Sequence, residues 1–361
     1  MKNNDPAKNQ PLVSIILPTL NTMPFIEERW RSIKKQTHTR WELIIADSFS
    51  DDGTWEYLSE LAHHDDRISI FQIPPGLYSA WNFCLDRTRG EYVYIATSDD
   101  SMKDNCIAKM VEALEAHPEC DVCDSVLQVV DDMGNEIDED DDKYVAHFWH
   151  CDFPRAKRHI RFCPHDYYLH FGGKTVYTSV TQLLIRRALF DKTGQFPTEM
   201  GSSGDFYWGM QTALHANVIF LPEKLASWRI HDQQATASSN IENINRNFAL
   251  MTKMAENSLA ELEDMSIKKK ALKIFPLMKF KALLLPAKRN NNKIRFMMCA
   301  IKTSLFYPIY TIEFILNVFI ALRHTPRFFL IYAYDLMIRS KVEHLDIQHL
   351  IQPIPSDDTD N

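Results

Sequence analysis

From position 13 to about position 110, short runs rich in Val, Ile, Tyr and Trp alternate with stretches whose apolar residues recur every third or fourth position. The runs predict strands at 13–18, 41–47, 68–73 and 92–97, and the stretches between them predict helices at 24–36, 52–63 and 77–87. Pro24 suits the first turn of its helix, where a missing N–H leaves nothing unsatisfied. Strand and helix in alternation imply right-handed crossovers and one open, mostly parallel α/β sheet covered by helices. Ligands of such sheets bind beyond the carboxyl ends of the strands. The residues there are polar: Thr19 and Asn21, then Asp47 and Ser48, then Ser98, Asp99 and Asp100.

Strand and helix signals return between 180 and 230, with 205–215 helical and 218–221 and 226–231 extended, so one α/β domain is expected over 11–238. Past it, 239–351 reads as a helical extension, interrupted by Pro276, Pro286, Pro308 and Pro326 and strongly apolar from 296 to 338. The polar ends, 1–10 and 352–361, are expected to be disordered. The apolar run 305–322, flanked by Lys302 and Arg323, is near the shortest that spans a bilayer. Glu313 and Asn317 lie inside it, and one mid-membrane acid costs roughly 2.5 to 3.5 kcal/mol. Helices lying at the interface, with Tyr307, Tyr310, Tyr332 and Tyr334 near headgroups, are more economical than a span.

A net charge of -8 and the lack of a basic stripe exclude nucleic acid as a partner. No apolar leader opens the chain, so a cytoplasmic protein with reduced thiols is expected, acting at the cytoplasmic face if its C-terminal helices touch the membrane. Cys120 and Cys123 form a C-x-x-C, but Cys151 and Cys163 are too far apart to complete a usual zinc site, and buried thiols are the plainer reading. The acidic stretch 131–142 reads as a solvated loop. The basic cluster Arg155, Lys157, Arg158 and Arg161 reads either as a solvated face or as a contact for a lipid phosphate.

With only 10 glycines and no G-x-G-x-x-G after a strand, dinucleotide oxidoreductases are disfavoured. Gly173-Lys174-Thr175 ends like a phosphate loop, but Tyr168 stands where its first glycine belongs. A diphosphate ligand with no glycine cradle needs a cation held by carboxylates, and Asp99 and Asp100 follow an apolar strand.

Ordered blocks carry a resemblance: VSIILPTLN from Val13, WELIIADSFSDDGT from Trp41, and GLYSAWNFCLDRTRGEYVYIATSDD from Gly76 to Asp100. LLIRRALFDKTGQF and GDFYWGMQTALHANVIFLPEKLASWRIHDQQAT follow. Together they resemble the inverting family 2 glycosyltransferases of GT-A fold over roughly 11–236. The resemblance implies a UDP- or GDP-type sugar donor held by Pro18, Thr19, Asn21, Asp47, Asp51, Ser98 and Asp99. It implies Mg2+ or Mn2+ at Asp99, Asp100 and His231, and Asp205 as the base that deprotonates a glycan or lipid-linked acceptor. Ser48, Thr97, Gly204 and Gln211 depart from the family pattern, and they leave open a binding module with a degenerate site. A nucleotidyltransferase, the third reading, lacks its glycine-rich basic loop here.

Overall fold

The computed structural model describes residues 10–137, 157–171, 176–231, 241–289 and 344–354, with single positions between 309 and 340. The chain opens with β1 (Val13–Thr19), α1 (Met23–Lys34), β2 (Trp41–Asp47), α2 (Thr54–His64), β3 (Ile68–Gln72), α3 (Leu77–Leu85) and β4 (Tyr92–Ile95). All seven elements coincide with the expected ones to within a few residues at their ends. β1 and β2 are buried at every position, as strands covered on both faces must be, which is why they read as continuous apolar runs.

The chain continues through β5 (Ser101–Met102), α4 (Cys106–Ala116), β6 (Val122–Val130), β7 (His159–Arg161), α5 (His165–Phe171), β8 (Leu183–Arg186), α6 (Phe190–Thr193), α7 (Gly204–Thr212) and β9 (Val218–Arg229). Two long helices, α8 (Ile241–Glu261) and α9 (Met265–Arg289), and a last strand β10 (Ile351–Pro353) follow. The sheet order is β10-β7-β9-β6-β8-β4-β1-β2-β3, with β5 paired to β9. β4, β1, β2 and β3 are mutually parallel, and β6 is parallel to β9. β8 enters antiparallel between β4 and β6 and joins the two parallel groups.

Several expectations are corrected. The stretches 218–221 and 226–231 are one strand, β9; the break read at Pro222 is a register shift against β6, placed where a residue without an N–H cannot continue the ladder. Pro276 and Pro286 lie within α9 without ending it. Ala271, Ile274, Phe275 and Leu277 of that helix are buried in the core, and this packing offsets the lost backbone bonds. Gln352 and Pro353, expected in a disordered tail, pair with Ile160 and His159 of β7. A strand this short has little signal of its own and takes its conformation from the edge it joins. Arg161, expected on a basic face, is buried between Asp124 and Asp166, at 2.9 Å from each. Residues 138–150, 172–175 and 355–361, most of 305–322, and Cys151 and Arg155 lie outside the described residues.

Candidate active site

Four parallel strands bring the residues that follow them to one edge. After β1 and β2, two loops interlock. Asp47 is wholly buried, with Oδ2 accepting from the Thr19 hydroxyl at 3.0 Å and from the Ser50 hydroxyl at 2.5 Å. Its Oδ1 accepts the Ser50 N–H at 2.9 Å. Thr19 and Asp47, both expected at the donor, bond to each other and fix the loop. Asn21 closes it from the other side. Its N–H donates to Ser50 Oγ and its Oδ1 accepts the Asp51 N–H, both at 2.9 Å.

Pro18 is buried within β1, opposite Ala46. The exposed side chains of this rim include Leu20, Asn21, Phe49 and Asp51. Asn21 and Phe49 have φ of 51° and 58°, the left-handed region that a bulky residue occupies only when its surroundings force it. Phe49 was missed in the sequence, although an apolar ring amid Ser48, Ser50, Asp51 and Asp52 is the signal that could have found it.

After β4, Thr97, Ser98, Asp99 and Asp100 form the acidic loop. Asp100 is only 2% exposed: its Oδ1 accepts the Arg229 N–H at 2.8 Å and its Oδ2 accepts the Thr97 hydroxyl. Burial, reinforced by the Asp99 charge beside it, pushes its carboxyl up to about 7. Both oxygens accept hydrogen bonds inside the fold, so Asp100 braces the loop on which Asp99 stands; each oxygen keeps a lone pair that could meet a metal ion. Asp99 is more open, and its Oδ2 lies 3.0 Å from Nε2 of His231. His231 stands two residues beyond β9, and among the described residues its buried Nδ1 has no partner. Phe25 packs against its ring at 4.6 Å.

Arg229 ties these pieces together. Its Nε donates to the Asp99 carbonyl at 2.8 Å, Nη1 reaches the carbonyls of Asp131 and Asp132, and Nη2 pairs with Glu28 at 2.6 Å. Among the described residues no group of three or more His, Cys, Asp or Glu side chains is assembled for a metal ion. Asp99 and His231 nonetheless supply one oxygen and one nitrogen side by side, a set suited to an ion whose remaining ligands are diphosphate oxygens and water. Cys120 and Cys123 are buried thiols, the former pushed up to about 12 by burial.

Asp205 occupies the first turn of α7. Its Oδ1 accepts the N–H of Phe206 at 2.7 Å and the hydroxyl of Tyr78 at 3.2 Å. Among the described residues no hydrogen bond reaches Oδ2. Burial raises the carboxyl above its usual range, and the two hydrogen bonds hold part of that rise back. Tyr78 lies in the first turn of α3, so its bond draws Asp205 to the same sheet edge as the two loops.

The segment 14–193 matches the family described as Glycosyl transferase family 2. The chain belongs to this family. Over 105 residues it is 37% identical to TuaG of Bacillus subtilis (strain 168), named for a glycosyltransferase of teichuronic acid biosynthesis; the match covers 28% of this chain and 42% of that one. It is 30% identical over 105 residues to the GalNAc(5)-diNAcBac-PP-undecaprenol beta-1,3-glucosyltransferase of Campylobacter jejuni, covering 28% of this chain and 34% of that one. The chain thus spans less than half the length of these curated relatives. In fold, this family 2 chain is similar to S. aureus TarS 1-349 in complex with UDP-GlcNAc, with TM-score 0.61 and 18% identity over 92% of this chain and 91% of that one. The mannosyltransferase PcManGT from Pyrobaculum calidifontis, in complex with GDP-Man and Mn2+, gives 0.54 and 16% over 95% and 88%. The architecture is the GT-A fold.

Proposed function

We propose that this chain is a metal-dependent, inverting glycosyltransferase that moves a sugar from a UDP- or GDP-type donor to an acceptor hydroxyl in cell-surface polysaccharide or glycolipid synthesis. The observation that carries the reading is the Tyr78–Asp205 bond, which joins the start of α7 to the start of α3. It sets a half-shielded carboxylate at the edge where the donor loops end. Leu20, Asn21, Phe49 and Asp51 line the rim where the nucleotide binds, while Thr19, Asp47 and Ser50 keep that rim in shape.

Asp99 and His231 would hold Mg2+ or Mn2+, with Asp100 and Arg229 fixing the loop behind them. The ion, when bound, supplies the positive charge that a departing diphosphate needs. Asp205 takes the acceptor proton on Oδ2 as the hydroxyl oxygen attacks the anomeric carbon, and its raised pKa makes it a stronger base than a solvated carboxylate. One base and one in-line displacement invert that carbon.

A second surface supports contact with a membrane. Ile309, Ile312, Ile315 and Leu316 are exposed and recur at helical spacing, whereas Phe314 is buried and Val318 packs against the core. No helix among the described residues is long and apolar enough to cross a membrane. An apolar face directed outward suits helices lying in the headgroup region. The described cysteines are free thiols, which supports the cytoplasmic face.

Nucleotide release from a panel of UDP- and GDP-sugars with Mn2+ and a polyprenol-linked glycan tests the reading. Asp205→Asn is expected to lower turnover by about 10² to 10⁴ with donor binding retained, the range for removal of a general base. Donor binding without turnover in the wild type would leave only a binding module, and full turnover in Asp205→Asn would exclude the assigned base.

A further inference from the structure

Gly204, immediately before Asp205, is in ordinary helical backbone, with φ of -67°, so no conformational demand calls for glycine there. Space does. A Cβ at this position would lie 2.6 Å from Cε2 and 2.7 Å from Cδ2 of Tyr78, and 2.9 Å from the Pro197 carbonyl oxygen. The Tyr78 ring therefore lies flush on the backbone of residue 204, and any side chain there would displace it.

The ring is held from its other sides as well. It stacks on Phe196 at 5.9 Å with an interplanar angle of 13°, and meets the Trp81 ring edge-on at 5.2 Å. Phe196 in turn packs on Trp208 of α7 at 4.8 Å. Gripped in this way, the phenol donates its hydroxyl to Oδ1 of Asp205, while its oxygen meets the backbone N–H groups of Gly204 and Asp205. Burial and the nearby Asp205 charge raise the phenol far above its usual value, so it stays protonated and donates.

Among the described residues no other titratable side chain bonds to this carboxylate. Around α7 stand His170 of α5, Asp191 and Lys192 of α6, Glu199 in the turn before α7, and Glu261 of α8. None of them makes an ion pair or hydrogen bond with Asp205 among the described residues. The Phe206 N–H and the Tyr78 hydroxyl both occupy Oδ1, and so fix which oxygen is left for the acceptor.

We infer that Tyr78 is a positioning residue for the base: with Gly204 making room for its ring, it fixes the Asp205 carboxylate plane and directs Oδ2 at the acceptor hydroxyl. The inference rests on the reading of Asp205 as the base. It also accounts for a departure from the family pattern, since glycine at 204 and tyrosine at 78 form one spatial unit. The hydroxyl stabilises the ionised carboxylate, so its removal moves the acid limb of the rate profile to higher pH.

The test measures kcat, donor KM and the pH profile of kcat/KM for wild type, Tyr78→Phe, Gly204→Ala, Tyr78→Ala, the Tyr78→Ala/Gly204→Ala pair and Asp205→Asn. Each variant's unfolding midpoint is recorded alongside. Tyr78→Phe keeps the ring and its packing; it is expected to lose about tenfold in kcat with donor KM unchanged and the acid limb shifted upward. Gly204→Ala is expected to impair the wild type strongly and the Tyr78→Ala background clearly less, since only the contact with the Pro197 carbonyl then remains. Wild-type turnover in Asp205→Asn would overturn the base assignment and this inference with it. An inactive Asp205→Asn beside a Tyr78→Phe with unaltered kcat and pH profile would overturn the inference alone, as would full additivity of the alanine pair.

Discussion

Arg229 grips Asp99 and its neighbour from two directions: its Nε–H meets the Asp99 carbonyl at 2.8 Å, and its own backbone N–H meets the Asp100 carboxylate at 2.8 Å. The guanidinium is buried and uses its whole fork, ending on Glu28 of α1. Lysine offers a charge but not that geometry. Arg229→Lys is expected to lower stability by about 1.5 to 3 kcal/mol, because the part-buried carbonyls of Asp99, Asp131 and Asp132 lose a charged donor. Turnover at fixed Mn2+ should fall further than stability explains. Urea unfolding and metal titration of turnover check this, and wild-type values in both would show the fork to be dispensable.

Asp205 should carry a stability cost. Its carboxyl is raised in the folded chain, so the folded state binds a proton more tightly than the unfolded one. The contribution is favourable below the unfolded value and is lost as pH rises through the folded value. Asp205→Asn is therefore expected to raise the melting temperature at pH 7, with the difference shrinking toward pH 4. A variant less stable than wild type at pH 7 would contradict the desolvation described for this site.

His170 behaves in the opposite sense. It is fully buried with neither ring nitrogen bonded among the described residues, and burial pushes it down to about 4. The unfolded chain takes up this proton near pH 6.5, so stability is held above that value and drains away as pH falls toward 4. The lost stability is on the order of 3 kcal/mol, taking about 1.4 kcal/mol for each pH decade. His170→Leu should flatten the fall in unfolding free energy between pH 6.5 and 4, as measured by urea titration at several pH values. An unaltered slope would assign the acid sensitivity elsewhere, with His159, also lowered to about 4, as the next residue to change.

Phe49 combines 56% exposure with a left-handed backbone, an arrangement that folding alone does not favour. For a bulky residue that conformation costs roughly 1 to 2 kcal/mol. Phe49→Gly is expected to leave stability within about 0.5 kcal/mol of wild type, since relief of strain offsets glycine's greater unfolded freedom. Affinity for the nucleotide donor should drop several-fold, because the ring is the largest apolar surface at the rim. Calorimetric titration with UDP and GDP decides it; unchanged affinity would remove Phe49 from the site.

The parallel half of the sheet was legible because its signals are local. β1 and β2 are unbroken apolar runs and α1 to α3 carry helical spacing, so each element announced itself within a dozen residues. The acidic loop and Asp205 were singled out through chemistry and resemblance. What escaped depends on contacts far apart in the chain. Tyr78 and Asp205 are separated by 127 positions, and neither residue signals the other. Asp47 and Asp100 are carboxylates held by Ser50 and Arg229, so residue type alone could not tell that each also braces its loop. Arg161 looked like surface charge because its partners Asp124 and Asp166 come from other elements.

Pairing of β10 with β7 places residues 351–353 on the outer rim of the catalytic sheet. Removing the polypeptide beyond Arg289 would do more than trim an accessory part. It would bare a row of unpaired amides and carbonyls along β7, a ready template for another molecule to zip onto. Shortened versions of this enzyme candidate are thus prone to self-association, and any dissection into separate halves must keep that closing strand in place.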